Sequence, residues 1–157
     1  MRNIIGVLLI GLSVSCSNKI ELDGNWVISE MRFNGKSVYP NTVSKEFSIE
    51  FNVAGYEGAE KLSFQSLDST IILPGFDSEK LLGTFSFKTD KIGIKLNNPS
   101  NYTNSEYDLA KEIYLGEFEI IKYPNKYILG LKSNSTGIKL INEDYLLKEK
   151  IDDFFNY

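Results

Sequence analysis

Apolar and polar residues alternate along most of this chain. The strictest run, Phe47-Ser48-Ile49-Glu50-Phe51-Asn52-Val53, puts Phe47, Ile49 and Phe51 on one face. Successive side chains on a strand point to opposite faces, so the run predicts a half-buried strand. Related patterns predict strands over 26–33, 61–67, 69–73, 81–88, 91–96, 112–123, 126–132, 138–142 and 145–147. Phe85 and Phe87 share a face of their strand, as do Tyr127, Leu129 and Leu131 of theirs. The breaks are turn formers: Asn34-Gly35, Pro74-Gly75, Thr89-Asp90, Pro124-Asn125 and Asn134-Ser135-Thr136-Gly137. Asn-Gly between two apolar runs is a strong hairpin signal, because both residues tolerate positive φ. The rhythm lapses over 97–111, a polar stretch that predicts a long loop with a helical turn near 108–111. At the C-terminus Ile151, Phe154 and Phe155 fall at helical spacing, which fits a short helix capping one end or a frayed tail. About eight to ten short strands at near-regular spacing predict an all-β sandwich or barrel, and the sequential hairpins favour up-and-down connectivity.

The first sixteen residues follow another pattern. Met1-Arg2-Asn3 is a short positive leader, Ile4–Leu12 is apolar or glycine, and Ser13-Val14-Ser15 runs into Cys16. This is the layout of a secretory signal peptide. The apolar run is far below the ~20 residues of a spanning helix. The small residue before Cys16 resembles bacterial lipoprotein signals, which implies lipidation of Cys16 by acyl chains such as palmitate. A free cysteine after an ordinary signal peptide is the alternative. Each buried CH₂ of an acyl chain contributes about 0.8 kcal/mol, so several chains on one residue anchor durably. The expected organisation is a signal peptide over 1–15, a lipidated tether over 16–22, a barrel over 23–150 and a tail or capping helix over 151–157. The expected address is the cell envelope, lipid-anchored at the outer membrane.

Composition narrows the chemistry. Cys16 is the only cysteine among 157 residues, so the barrel has no disulfide and depends on its packed core. Histidine is absent, which excludes a Ser-His-Asp triad and a His-ligated metal site. The net charge is −4, with lysines and acids interspersed, and no basic patch points to nucleic acid. Nothing marks a catalytic residue, a cofactor site or a metal site, and an enzyme is not expected. Aromatics make up 13% of the chain, which suits both strands and apolar pockets.

Leu22-Asp23-Gly24-Asn25-Trp26 resembles the Gly-x-Trp opening of the first lipocalin strand. Leu82-Gly83-Thr84-Phe85-Ser86-Phe87 with Ile92-Gly93-Ile94 resembles the middle hairpin of bacterial lipocalin-like lipoproteins. Gly116-Glu117-Phe118-Glu119-Ile120 with Tyr127-Ile128-Leu129-Gly130-Leu131 resembles their closing hairpins. The resemblance spans most of residues 22–150 and implies an all-β, antiparallel up-and-down β-barrel of about eight strands, lipocalin-like. It implies that Gly24 and Trp26 close the narrow end of the barrel by packing. The family's Thr-Asp-Tyr turn is missing, and Lys148 or Lys150 stands in for the arginine that usually covers the tryptophan ring.

An eight-stranded barrel is either filled by side chains or holds one small ligand. Phe47, Ile49, Phe51, Phe85, Phe87, Tyr127, Leu129 and Leu131 are the candidate lining of an apolar cavity, and equally of a solid core. The first reading is a lipid-anchored envelope protein that binds a small apolar or amphipathic ligand. The second is a filled barrel that docks an envelope protein, with neither ligand nor catalysis; the loop 97–111, with Tyr102 and Tyr107, is the candidate lid of the first reading and the candidate contact of the second. Smaller signals remain. Asp68-Ser69-Thr70 resembles an O-glycosylation acceptor, with Ser69 as the modified residue. Asn101-Tyr102-Thr103 and Asn134-Ser135-Thr136 read as turns. Glu143-Asp144 and Asp152-Asp153 read as solvated surface charge, since neighbours on a strand face opposite ways.

Overall fold

The computed structural model describes residues 22–39, 60–75 and 79–155. Its strands are β1 (Gly24–Phe33), β2 (Lys36–Tyr39), β3 (Lys61–Gln65), β4 (Thr70–Leu73), β5 (Leu81–Lys88), β6 (Lys91–Leu96), β7 (Gly116–Lys122), β8 (Ile128–Lys132) and β9 (Thr136–Asn142). Two 3-10 turns, Pro99–Tyr102 and Ser105–Tyr107, lead into helix α1 (Asp108–Tyr114), and helix α2 (Glu143–Phe155) follows β9. The predicted spans of β5 and β6 match residue for residue. The strand predicted over 47–53, with Phe47, Ile49 and Phe51, lies outside the described residues, as does Cys16.

Every strand pairs antiparallel with its neighbours, and β1 also pairs with β9, which closes the sheet. The other edge of β1 is shared. Gly24–Val27 pairs with β3, while Met31–Phe33 pairs with β2 through the Asn34-Gly35 hairpin. Eight strands therefore form the ring, and β2 is a short flap on it. Asn34 and Gly35 have φ of 50° and 78°, the geometry of a tight hairpin whose twist matches the strands.

β1 shows how the sequence meets the barrel. Trp26 and Ile28 are buried at even positions, whereas Met31 is buried and Phe33 half-buried at odd ones. A bulge between Ile28 and Glu30 explains the change of phase: one extra residue, Ser29, turns the remaining strand over. The Ser29 hydroxyl donates to the Lys139 carbonyl across the bulge, at 3.2 Å.

One predicted strand, 145–147, and the first three residues of another, 112–123, are helical instead. Residues 112–114 belong to α1, so β7 starts at Gly116 rather than 112. Residues 145–147 belong to α2. Glu-Ile-Tyr and Tyr-Leu-Leu are too short for periodicity to separate strand from helix. In α2 the cap decides. The Asn142 side-chain oxygen accepts from the Tyr145 N–H at 3.1 Å, and Glu143 and Asp144 fill the first turn. The helix packs on β1 and β9. Val27 points away from the interior yet is fully buried, and Leu146 of α2 is buried as well.

The ring has two ends. At the near end, where β1 begins, lie the turns 66–69, 89–90 and 123–127 and the β9–α2 junction. The Asp23 carboxylate accepts from the Ser66 N–H at 2.7 Å, which ties the start of the barrel to the β3–β4 turn. At the far end lie the β1–β2 and β8–β9 turns and the long connection over α1.

Candidate functional site

The interior is the first place to look for function. Its described wall consists of alternate residues from each strand, among them Ile28, Leu62, Phe64, Ile71, Ile94, Phe118, Leu131 and Leu140, all almost completely buried. Phe64 and Phe85 meet edge to face at 5.3 Å. Among the described residues these side chains form one buried core cluster.

The far end is closed by the chain itself. Tyr107, Ala110, Ile113 and Tyr114 are buried in the same core cluster, with Tyr102 and Leu115 packed against it. Their spacing places one face of α1 in the mouth, while Leu109 and Glu112 face solvent. The approach is sewn down. The Tyr102 hydroxyl accepts from the Leu82 N–H at 3.0 Å, and the Asn97 N–H donates to the Leu82 carbonyl at 3.1 Å. Lys111 donates to the Tyr102 carbonyl at 2.9 Å and pairs with Asp108 at 2.6 Å. Tyr102 and Tyr107 meet edge to face at 5.2 Å. Loop 97–111 was expected to carry a brief helical turn; it is a structured cap. Its signal was present, since 107, 110, 113 and 114 follow a helical period across a stretch that otherwise reads as loop.

A buried threonine interrupts this apolar setting. Thr136 is buried at the start of β9, opposite Phe33, and its Oγ1 makes no hydrogen bond. A buried hydroxyl without a partner costs about 1–3 kcal/mol.

The candidate cavity residues separate. Phe85, Leu129 and Leu131 are buried in the core. Phe87 is 45% exposed at the near rim, edge to face with Phe85 at 5.6 Å. Tyr127 is 38% exposed and stacks on Tyr145 at 4.7 Å, with the Lys126 amine 4.9 Å from its ring centre. Both Phe87 and Tyr127 lie where strands run into turns, so position along the strand, invisible to alternation, decides their exposure. Trp26 is buried, and its indole N–H donates to the Leu22 carbonyl at 2.9 Å. Gly24 opens β1 with φ +97° and is exposed. Ser69 is exposed in the β3–β4 turn at φ 58°, and Lys148 is exposed on α2.

The carboxylate pair at 143–144 needs correction. It sits on a helix, and Glu143 is not simply solvated. Its carboxylate pairs with Lys61 and accepts from the Asn25 amide at 2.7 Å. The Asn25 carbonyl oxygen in turn accepts from the Ser63 hydroxyl at 2.6 Å. Burial pushes the Glu143 carboxyl up, but hydrogen bonds from Lys61 and Asn25 outweigh it and hold it below the usual carboxylate range. The cluster fastens α2 to β1 and β3. Over β6, β7, the end of β8 and the turn after it, a polar groove of about 730 Å³ runs past Lys91, Glu117, Glu119, Lys132 and Ser133–Ser135. Lys91 and Glu117 pair across it at 2.5 Å, which raises the lysine and lowers the carboxyl.

The strands run in sequence order around an eight-stranded antiparallel ring closed by β1 on β9, the up-and-down architecture that lipocalins share with other small barrels. No family model matches the chain, and no curated protein matches it. Among solved structures, a lipocalin-like protein from Bacteroides uniformis is similar. It is 17% identical, with a TM-score of 0.49, and the match covers 77% of this chain and 97% of that one.

Proposed function

We propose that this chain is a lipid-anchored protein of the cell envelope, held by acylated Cys16 at the outer membrane, whose filled lipocalin-like barrel acts through its outer surface. The observation that carries the reading is α1 seated in the mouth, with Ala110, Ile113 and Tyr114 fully buried over a packed interior. An eight-stranded ring filled in this way is a rigid scaffold rather than a container. The exposed side of the cap, with Asn101, Asn104 and Leu109, is the contact surface for an envelope protein. Native mass spectrometry of the protein extracted from membranes tests the filled barrel. The expected result is the mass of the acylated chain with no retained small molecule, together with no binding of apolar probes. Cross-linking in intact envelopes tests the surface. A partner captured by the natural chain is expected to be lost on Leu109→Asp, which changes an exposed residue and leaves the fold intact. A small molecule that co-purifies at unit stoichiometry would overturn the filled-barrel reading.

One observation favours a second reading, a small amphipathic ligand. The unpartnered Thr136 hydroxyl, buried at the far end of β9, is the kind of group that orients a ligand in an apolar pocket. Binding there requires α1 to leave the mouth. A retained ligand lost on Thr136→Val would establish it.

A further inference from the structure

We propose that the near end of the barrel is a membrane-contact surface, seated on the headgroup region of a phospholipid bilayer. This rests on the anchoring of Cys16 proposed above and specifies how the barrel stands on that anchor. Scattered exposed hydrophobic residues are normal on any protein. Here they are not scattered. Of the seven large hydrophobic side chains exposed among the described residues, Leu67, Phe87, Tyr123 and Tyr127 all lie at the near end. Each comes from one of its turns or the strand rim beside it: Leu67 from β3–β4, Phe87 from β5, and the two tyrosines from β7–β8.

Leu67 is fully exposed at a turn tip, yet the turn is held firmly. Ser66 N–H donates to the Asp23 carboxylate, Thr70 N–H donates to the Asp68 carboxylate at 3.0 Å, and Phe85 N–H donates to the Ser69 carbonyl at 2.8 Å. A pre-set turn presents its leucine with little ordering left to do on contact. Lys88, Lys122 and Lys126 are exposed around the same rim. Long lysine stems lie along apolar surface while their amines reach the headgroups, and tyrosine favours the same interfacial zone.

The tether supplies the independent argument. Leu22 lies at this end, joined to Trp26 by the indole hydrogen bond. Five residues lie between it and Cys16, a span of at most ~22 Å when extended. A lipid on Cys16 would therefore tether the chain by the end that carries the apolar turns.

The test uses the full acylated chain in vesicles of phosphatidylethanolamine and phosphatidylglycerol, with and without bromine on the acyl chains. Leu67→Trp adds an emitting group at the turn, and Leu109→Trp adds one at the opposite end. The only natural tryptophan, Trp26, is buried and serves as the internal baseline. The expected result is a blue shift and loss of most of the added emission at position 67 in brominated vesicles, and neither at position 109. If both positions behave alike, the surface does not meet the membrane. If emission at 67 is shifted in native envelopes but unquenched in protein-free vesicles, the near end meets a protein and the proposal fails. The mass of the N-terminal peptide reads the anchor separately. A lipid on Cys16 with no quenching at 67 overturns the contact alone, and quenching without a lipid overturns the anchor alone.

Discussion

Replacing Ile113 with alanine tests whether α1 is a structural plug. Ile113 is completely buried within the core cluster, at the mouth of the ring. The change deletes three carbons. At about 0.8 kcal/mol for each buried CH₂, the lost transfer alone amounts to ~2.4 kcal/mol. Alanine is the better helix former by a few tenths of a kcal/mol, which offsets a little. The strands on either side are tied into the ring and cannot close over the gap, so a cavity term adds to the loss. The expected destabilisation is about 2.5–4 kcal/mol, within the range for Ile→Ala in packed interiors. Urea unfolding followed by far-UV circular dichroism measures it, with Leu109→Ala as the control. Leu109 lies one turn away at the margin of the buried face, 45% exposed, and should cost clearly less, about 1 kcal/mol. If Ile113→Ala costs as little as the control, α1 only rests on the barrel and the filled-scaffold reading loses its support. The same variant should take up an apolar dye that the natural chain excludes.

Four further outcomes are expected. Gly83→Ala would place a Cβ 2.5 Å from the Lys95 carbonyl oxygen, a backbone atom that cannot step aside, so β5 and β6 should separate locally with a loss of about 1–3 kcal/mol in thermal or urea unfolding. Glu143 has its carboxyl lowered in the folded state, so its contribution is full above the ordinary carboxylate range and disappears as the pH falls through it; Glu143→Gln should remove that acid-side slope, and about 1 kcal/mol at neutral pH, in unfolding curves taken across pH. Trp26→Phe removes the bond to the Leu22 carbonyl and part of a buried ring; about 1–3 kcal/mol should be lost, with early amide exchange at Leu22–Gly24. Thr136→Val should be neutral or stabilising by up to about 1 kcal/mol in the ligand-free protein, because the hydroxyl it deletes has no partner.

Much of the ring was legible because hairpins announce themselves twice, in alternation and in turn chemistry. β5 and β6 carry both signals around Thr89-Asp90, and Thr89 indeed takes a positive φ of 62°. The two helices were harder for different reasons. In α2, Asn142 followed by Glu143 and Asp144 is a readable start signal, overshadowed by the apolar triplet at 145–147. In α1 the polar run before it disguised a helical period of only four core positions. Phe87 and Tyr127 show a further limit. Alternation assigns a side chain to a face of the strand, while its burial depends on how far along the barrel axis it sits. The Lys61–Asn25–Glu143 cluster joins residues more than eighty positions apart, and no local pattern reports such a meeting.

The seam between β1 and β9 bears on how the protein is made. Trp26 pairs with Asn142 and Phe33 with Thr136, so the first strand of the ring waits for the last. Contacts this distant in sequence form slowly, since the loop between them must close before any pairing rewards it. Until β9 arrives, β1 has an open edge able to pair with another chain. A chain cut before residue 136 is therefore expected to aggregate rather than to survive as a smaller stable sheet. The ring is completed all at once or not at all, and the interval before completion is when the chain most needs protection.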